Sequence, residues 1–222
     1  MTKQKPVIVV NFKAYKETIG DNALHLAKAC EKVSVETGVD IRIAVPATDL
    51  HEISESISIP VYSEHVDEYP LGKHTGAILP EMIKSAGAHG TILNHSEHKV
   101  PLKKLEETIQ RSKALGLTLV VCAENVDEER EILRFKYKPE FIAIEPPELI
   151  GGDISVSTAH PEVITGGVKE LKDGVKLLVG AGIKTKADVE TALRLGADGV
   201  LIASGIDLAK DPVKALKDII PE

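Results

Sequence analysis

The chain has 222 residues, of which 43% are hydrophobic, and a formal net charge of −7. This length and apolar content suit one sizeable core, so we expect a single domain over residues 1–222. The negative charge and the lack of a basic run argue against nucleic acid as a partner. The apolar run after residues 1–6 is too short for a signal peptide, and no later run approaches a membrane span, so we expect a cytoplasmic protein without membrane contact.

Two cysteines and eight histidines bear on redox and metal chemistry. Cys30 lies in a predicted helix and Cys122 in a predicted strand, which is typical of small buried thiols in a reducing compartment rather than of a disulfide. No pair of histidines has metal-ligand spacing on a helix, so we expect no metal. Neither a G-x-G-x-x-G motif after a strand nor a Walker sequence is present, and no cofactor is expected.

Short apolar runs alternate with longer amphipathic segments along the whole chain. Most runs are apolar without strict alternation, as in strands covered on both faces, although Ser63, Glu64 and His65 make the third run weak. The intervening segments read as helices, most clearly over 101–116, 185–196 and 211–220. The eight runs are VIVVNF (7–12), DIRIAVP (40–46), PVYSEHV (60–66), GTILNHS (90–96), LTLVVCAE (117–124), FIAIEP (141–146), KLLVGAG (176–182) and GVLIASG (199–205).

Eight strand–helix units in a chain of this length predict a parallel, eight-stranded (β/α)8 barrel of the TIM type. An open, doubly wound sheet is the alternative, but it is rarely built from eight such units. In a barrel, the functional residues lie at the carboxyl ends of the strands and in the loops that follow them.

Polar side chains follow several of the predicted strands. Asn11 and Lys13 follow the first strand, His95 and Glu97 the fourth, and Glu145 the sixth. Each could be an ordinary loop residue by itself. Their convergence on one rim of one barrel predicts a site that combines a cation, an imidazole and a carboxylate.

Small residues follow the last two strands, as Gly-Ala-Gly at 180–182 and Ala-Ser-Gly at 203–205. Such turns let backbone N–H groups approach an anion, and barrels often bind phosphate there. Either turn alone could simply shape a tight connection, but the two together favour a phosphate site.

The segment after the sixth strand is first stiff and then pliable. Pro146 and Pro147 fix the backbone directly after Glu145, whereas Gly151 and Gly152 loosen it a few residues later. This order predicts a lid, with its stiff end beside the carboxylate.

Several of these stretches together resemble the triosephosphate isomerase family, and the short chain resembles its archaeal branch. No single motif is specific, but their order over nearly the whole chain is. The matching stretches are VNFKAY (10–15), HTGAILPEMIKSAG (74–87), ILNHSEH (92–98), AIEPPELIGG (143–152) and VLIASG (200–205).

The resemblance implies interconversion of dihydroxyacetone phosphate and glyceraldehyde 3-phosphate through an enediolate, without a cofactor. It implies that Glu145 is the base, that His95 is the electrophile, and that Asn11 and Lys13 complete the site, with Glu97 as a further acid near Lys13. The phosphate contacts that it implies are Ile150, Gly151, Gly182, Ala203 and Ser204.

The resemblance also implies an oligomer, at least a dimer and more readily a homotetramer. Thr75 would reach from the loop after the third strand into a neighbouring subunit. Asn94 departs from the glycine of many relatives, and the lid lacks their tryptophan. Two other readings stay open at this point: another phosphosugar-binding barrel enzyme, or a barrel that binds phosphometabolites without turnover.

Overall fold

A computed structural model describes residues 5–152 and 155–221 as one closed parallel barrel, with the strands in the order of the chain. The expectations for the extreme N-terminus therefore lie partly outside the described residues. The first strand pairs with both the second and the last, which closes the ring. The strands are β1 (Val7–Asn11), β2 (Asp40–Val45), β3 (Val61–Ser63), β4 (Gly90–Leu93), β5 (Thr118–Ala123), β6 (Phe141–Ile144), β7 (Lys176–Val179) and β8 (Gly199–Ile202).

Helices separate successive strands and cover the outside of the barrel. The described residues contain ten α-helices rather than one per strand, because short helices, α6 and α9, precede the main helices after β6 and β8. The helices are α1 (Asp21–Thr37), α2 (Leu50–Ser56), α3 (Pro80–Ser85), α4 (Leu102–Ala114), α5 (Val126–Ile132), α6 (Val156–Ala159), α7 (Pro161–Glu170), α8 (Lys186–Arg194), α9 (Ser204–Asp207) and α10 (Pro212–Ile219).

The strands bury both faces, which explains their apolar runs. Alternate side chains point into the barrel or out toward the helices. On β1, Val7 and Val9 belong to the inner cluster, whereas Ile8 and Val10 belong to the outer one. The same alternation directs Asn11 inward, and on β6 it directs Glu145 inward after Phe141.

Both cysteines are buried free thiols, Cys30 on the buried face of α1 and Cys122 inside the barrel, as the sequence predicts. Burial raises the pKa of each thiol, and the neighbouring acids Asp207 and Glu145 raise it further at Cys30 and Cys122 respectively. Within 5–152 and 155–221, no helix has the length and apolar character needed to cross a membrane.

Candidate active site

The predicted site residues meet in one cavity at the carboxyl ends of the strands. Of the predicted set, only Glu97 is missing from the cavity lining, and it contacts the site through Lys13 instead. The predicted residues that line the cavity are Asn11, Lys13, His95, Glu145, Ile150, Gly151, Gly182, Ala203 and Ser204.

Glu145 lies directly after β6 and is only 6% exposed. Its backbone N–H donates to the carbonyl of Ala123 at 2.8 Å, which continues the sheet pairing by one residue and holds the side chain over the barrel. Burial raises the pKa of Glu145, while His95, the Cys122 thiol and Lys13 oppose that rise. Its Oε2 is buried and has no hydrogen-bond partner within the described residues, so this oxygen is available to a substrate.

His95 faces this carboxylate across the cavity. Its Nε2 lies 3.7 Å from Oε2 of Glu145, and its Nδ1 accepts the backbone N–H of Glu97 at 3.2 Å. Because Nδ1 is an acceptor, the imidazole carries its proton on Nε2, the nitrogen that faces the cavity. The loop after His95 begins with a single hydrogen-bonded turn, in which the N–H of His98 donates to the carbonyl of His95 at 2.8 Å.

Lys13 brings a positive charge to the same cavity. Its Nζ lies 2.7 Å from Oε1 of Glu97, and its side chain is 14% exposed. Its backbone is left-handed, with φ +53°, and its N–H donates to Oδ1 of Asn11 at 3.3 Å. Asn11, which is buried, therefore supports the turn that aims the ammonium group.

The turns after β7 and β8 form the wall of the cavity between Glu145 and Lys13. Ala181 has a left-handed backbone, with φ +70°, and its carbonyl accepts the N–H of Val156 from α6. Gly182 follows with φ +71°. These turns place Gly182, Ala203 and Ser204 around the same space as the lid residues.

Several cavity residues were not predicted from the sequence. They come from the first loop and from the ends of β7 and β8, where side-chain type alone carried no signal. They are Tyr15, Ile183, Lys184, Leu201 and Ile202.

The lid, residues 146–152, is ordered as a 3-10 turn over Pro147–Leu149. The N–H of Ile150 donates to the carbonyl of Pro147 at 3.2 Å, and that of Gly152 to Leu149 at 3.1 Å. Gly151 is left-handed, with φ +71°, so the pliable end adopts a conformation that suits glycine. The residues directly after Gly152, including Asp153, lie outside the described residues.

The site contains no grouping suited to a metal. Within the described part of the chain, no three or more His, Cys, Asp or Glu side chains are placed to hold an ion. The groups that line the cavity include an imidazole, a carboxylate and an ammonium, which suit proton transfer and anion binding.

The family model for triosephosphate isomerase matches residues 6–220. The chain belongs to the triosephosphate isomerase family. The relatives named triosephosphate isomerase include that of Saccharolobus solfataricus, 47% identical over 97% of this chain and 95% of its own. Those of Metallosphaera sedula (48%; 97% and 94%) and Methanocaldococcus jannaschii (46%; 96% and 98%) are similar over a comparable span.

The solved triosephosphate isomerase of Bartonella henselae shares the fold at only 21% identity. Its TM-score is 0.74, and the match covers 97% of this chain and 98% of that one. The chain is thus similar to triosephosphate isomerases both in sequence, through the archaeal relatives, and in fold, through the solved structure.

Proposed function

We propose that this chain interconverts dihydroxyacetone phosphate and D-glyceraldehyde 3-phosphate, with Glu145, His95 and Lys13 as its catalytic groups. Membership in the triosephosphate isomerase family supports an isomerase over the other phosphosugar barrels and over a non-catalytic barrel. The observation that carries the residue roles is the 3.7 Å approach of the His95 and Glu145 side chains in one cavity with Lys13.

Glu145 acts as the base. The reaction removes a proton from the carbon beside a carbonyl and returns it to the neighbouring carbon, so one carboxylate has to reach both carbons. Burial raises the pKa of Glu145 and so makes the carboxylate a stronger base than an exposed one.

His95 acts as the proton donor to the substrate oxygens. Proton removal by Glu145 leaves negative charge on oxygen, as an enediolate. The proton of the His95 ring is on Nε2, which faces the cavity, because Nδ1 accepts the N–H of Glu97. A donor already aimed at the developing charge stabilises it without reorganisation.

Lys13 and the turns after β7 and β8 hold the phosphate. The ammonium offsets the repulsion that a dianion would meet in a protein of net charge −7. We assign the backbone contacts to Ile150, Gly151, Gly182 and the Ala203–Ser204 turn, with Asn11 and Glu97 supporting Lys13. No cofactor takes part in this scheme.

The lid excludes water while the enediolate exists. Such an intermediate can lose phosphate when water and free rotation are allowed, so closure protects it. Pro146 and Pro147 join the lid stiffly to the base, and Gly151 allows the far end to move.

The decisive experiment is a coupled isomerase assay on the purified chain and on Glu145→Gln. We expect kcat to fall by about 10²–10⁴, the range that a positioned base contributes. Glu124→Gln is the matched control, because Glu124 follows β5 but pairs with Lys99 outside the cavity. A Glu145→Gln variant within a few-fold of the wild-type rate would refute the assignment of the base.

A second copy of the chain is the partner we propose, in a homodimer and more readily a homotetramer, in the cytoplasm. The loop after β3, residues 67–78, is closed at its base by two bonds between Asp67 and Ile78, each 2.7 Å long. It exposes Thr75 at its tip, and Leu71 on it is 68% exposed. A protruding loop with exposed apolar side chains suits an interface between subunits.

Sedimentation equilibrium of the wild-type chain and of Thr75→Arg tests this assembly. We expect the wild type to have the mass of two or four chains, and Thr75→Arg to dissociate at higher concentration. A monomeric wild type at micromolar concentration would contradict the assembly and leave the active-site assignment standing.

A further inference from the structure

Asn94 is the residue at which the chain leaves β4 for the loop that carries His95. Leu93 packs in the outer core, so strand alternation would direct residue 95 outward as well. Instead, His95 lines the inner cavity. The backbone of Asn94 is left-handed, with φ +58°, and this conformation breaks the alternation at that step.

The carboxamide of Asn94 is buried, with the residue only 1% exposed, and it makes three hydrogen bonds. Its Nδ2 donates to the carbonyl of Cys122 on β5 and to Oε1 of Glu128 on α5, each at 2.9 Å. Its Oδ1 accepts the N–H of Val100 at 3.0 Å. The last bond closes the loop 95–99 at its base, and the first two fix that base to the neighbouring strand and helix.

Glu128, the carboxylate that accepts a hydrogen bond from Asn94, is itself held by further bonds. Oε1 of Glu128 also binds Nζ of Lys99 at 2.6 Å, and Oε2 accepts the N–H of Glu124 at 2.7 Å. Burial raises the pKa of Glu128, but the bonds from Lys99, Glu124 and Asn94 outweigh it and leave the pKa below its ordinary value. The anchor is therefore an ionised, fully bonded carboxylate, which is a strong acceptor.

The strand that receives the other Asn94 bond also supports the base. The Cys122 thiol lies against Glu145 and opposes the rise that burial causes in the pKa of that carboxyl. The carboxamide of Asn94 thus ties the loop that carries His95 to β5, the strand whose Cys122 lies against Glu145. The distance between the His95 ring and the Glu145 carboxylate therefore depends on this hydrogen bond.

We propose that Asn94 is a positioning residue for His95 in the isomerisation. Its left-handed backbone directs the imidazole into the barrel, and its carboxamide holds the loop 95–99 so that Nε2–H meets the substrate oxygens. The inference rests on the proposed function, because the aim of Nε2–H matters only if His95 serves as the donor.

Asn94→Gly is the main test, because glycine adopts the left-handed backbone freely but lacks the carboxamide. We expect kcat to fall about 10- to 100-fold, less than the roughly 10²–10³ lost when such a donor is removed, because the His95 ring stays but is misaligned. KM and the Kd of inorganic phosphate should stay within about twofold, since the turns after β7 and β8 make no bond to Asn94. In ¹⁵N spectra, the His95 ring should change from the Nε2–H tautomer to a mixture.

Two further variants separate conformation from bonding. Asn94→Val, which is β-branched and resists a left-handed backbone, should lose more kcat than Asn94→Gly. Asn94→Asp keeps the acceptor for Val100 and loses both donated bonds. It should also lower kcat with KM unchanged, and it provides the measurement if Asn94→Gly does not fold.

Asp173→Gly is the matched control, because Asp173 is also left-handed, with φ +57°, but precedes β7 at the opposite end of the barrel. It should keep the wild-type kcat. A wild-type chain without isomerase activity would overturn the proposed function, and this inference with it. An active wild type with unchanged kcat and unchanged His95 tautomer in Asn94→Gly and Asn94→Asp would overturn it.

Discussion

The carboxylate of Glu145 occupies the space that a side chain on Gly180 would fill. A Cβ atom built on Gly180 would lie 2.2 Å from Oε1 of Glu145 and 2.5 Å from its Cγ. Gly180 follows β7, and its N–H donates to the carbonyl of Ile144, so the backbone after β7 passes directly beside Glu145. The glycine is thus required by the position of the Glu145 carboxylate and not by its own backbone conformation.

Gly180→Ala should displace Glu145 and lower kcat by about 100-fold, because a misplacement of about 1 Å in a reacting group can cost that much. Steady-state kinetics with both triose phosphates measure the effect. Gly166→Ala on α7 is the control, because its Cβ would meet only the Val126 side chain, at 3.1 Å. Equal activity of the two variants would show that Glu145 tolerates displacement.

Lys13→Met should weaken binding of phosphoglycolate, a small dianion, by about tenfold or more, as expected on loss of a charge-assisted contact. Calorimetric titration measures the Kd. Lys104→Met provides the control, because Lys104 pairs with Glu68 outside the cavity. An unchanged Kd for Lys13→Met would remove Lys13 from the site.

Two further acids near Lys13 predict a pH dependence of anion binding. Burial raises the pKa of both Glu64 and Asp207 to about 8; Lys13 opposes the rise in each, and Asp207 and Glu97 add to it at Glu64. Above that pH they ionise and counter the charge of Lys13. Phosphoglycolate affinity should therefore fall as pH rises from about 7 to 9.5.

Glu64→Gln removes one of these ionisations and should flatten the alkaline part of the affinity profile. The inhibition constant of phosphoglycolate, measured at each pH, reports this directly. Glu140→Gln serves as the control, because Glu140 pairs with Lys113 away from the cavity. Superimposable profiles for Glu64→Gln and the wild type would show that Glu64 does not act on the anion.

Glu129 on α5 is fully buried, and neither of its oxygens has a partner within the described residues. It packs against α7 at Gly167, where an added Cβ would lie 2.7 Å from Oε2. Burial, followed by the charge of Glu170, raises its pKa from 4.5 to about 7, against a smaller effect of Arg130. The folded state therefore disfavours the ionised form of this carboxyl.

Ionisation of Glu129 should cost stability as pH rises. Because the folded pKa lies above the unfolded one, its contribution is full below about 4.5 and is lost as pH rises through about 7. Glu129→Gln should raise the free energy of unfolding at pH 8 by about 1–3 kcal/mol and change little at pH 4. Urea unfolding at both pH values measures this. Glu131→Gln, an exposed position on α5, should show no such difference.

The strands were predictable because each buries both faces and so appears as an apolar run. All eight predicted runs contain an observed strand, and every run extends beyond it. The third is the extreme case, with 60–66 predicted and only Val61–Ser63 in the sheet. After β1, β4, β6, β7 and β8, the additional residues lead into the candidate site, a choice that hydrophobicity does not encode. The short helices α6 and α9 were missed for the same reason.

Site residues could be predicted where a polar residue falls at a position that the alternation of side chains along its strand directs inward. Asn11 and Glu145 continue the inward alternation of β1 and β6, and the cavity contains both. His95 does not follow the alternation of β4, which by itself would direct this side chain outward. The left-handed backbone of Asn94 explains why His95 points inward. In the sequence, the asparagine indicates only that such a backbone is tolerated at this position.

By itself, the sequence determined the barrel, the end at which the site lies, and the residue types available for chemistry, because these depend on local pattern and chain order. The tertiary structure alone decided which side chains share a space: Glu145 against Gly180, Asn94 bonded to Cys122 and Glu128, and Glu129 against Gly167. Those contacts join residues far apart in the chain, and they exist only once the ring of strands has closed.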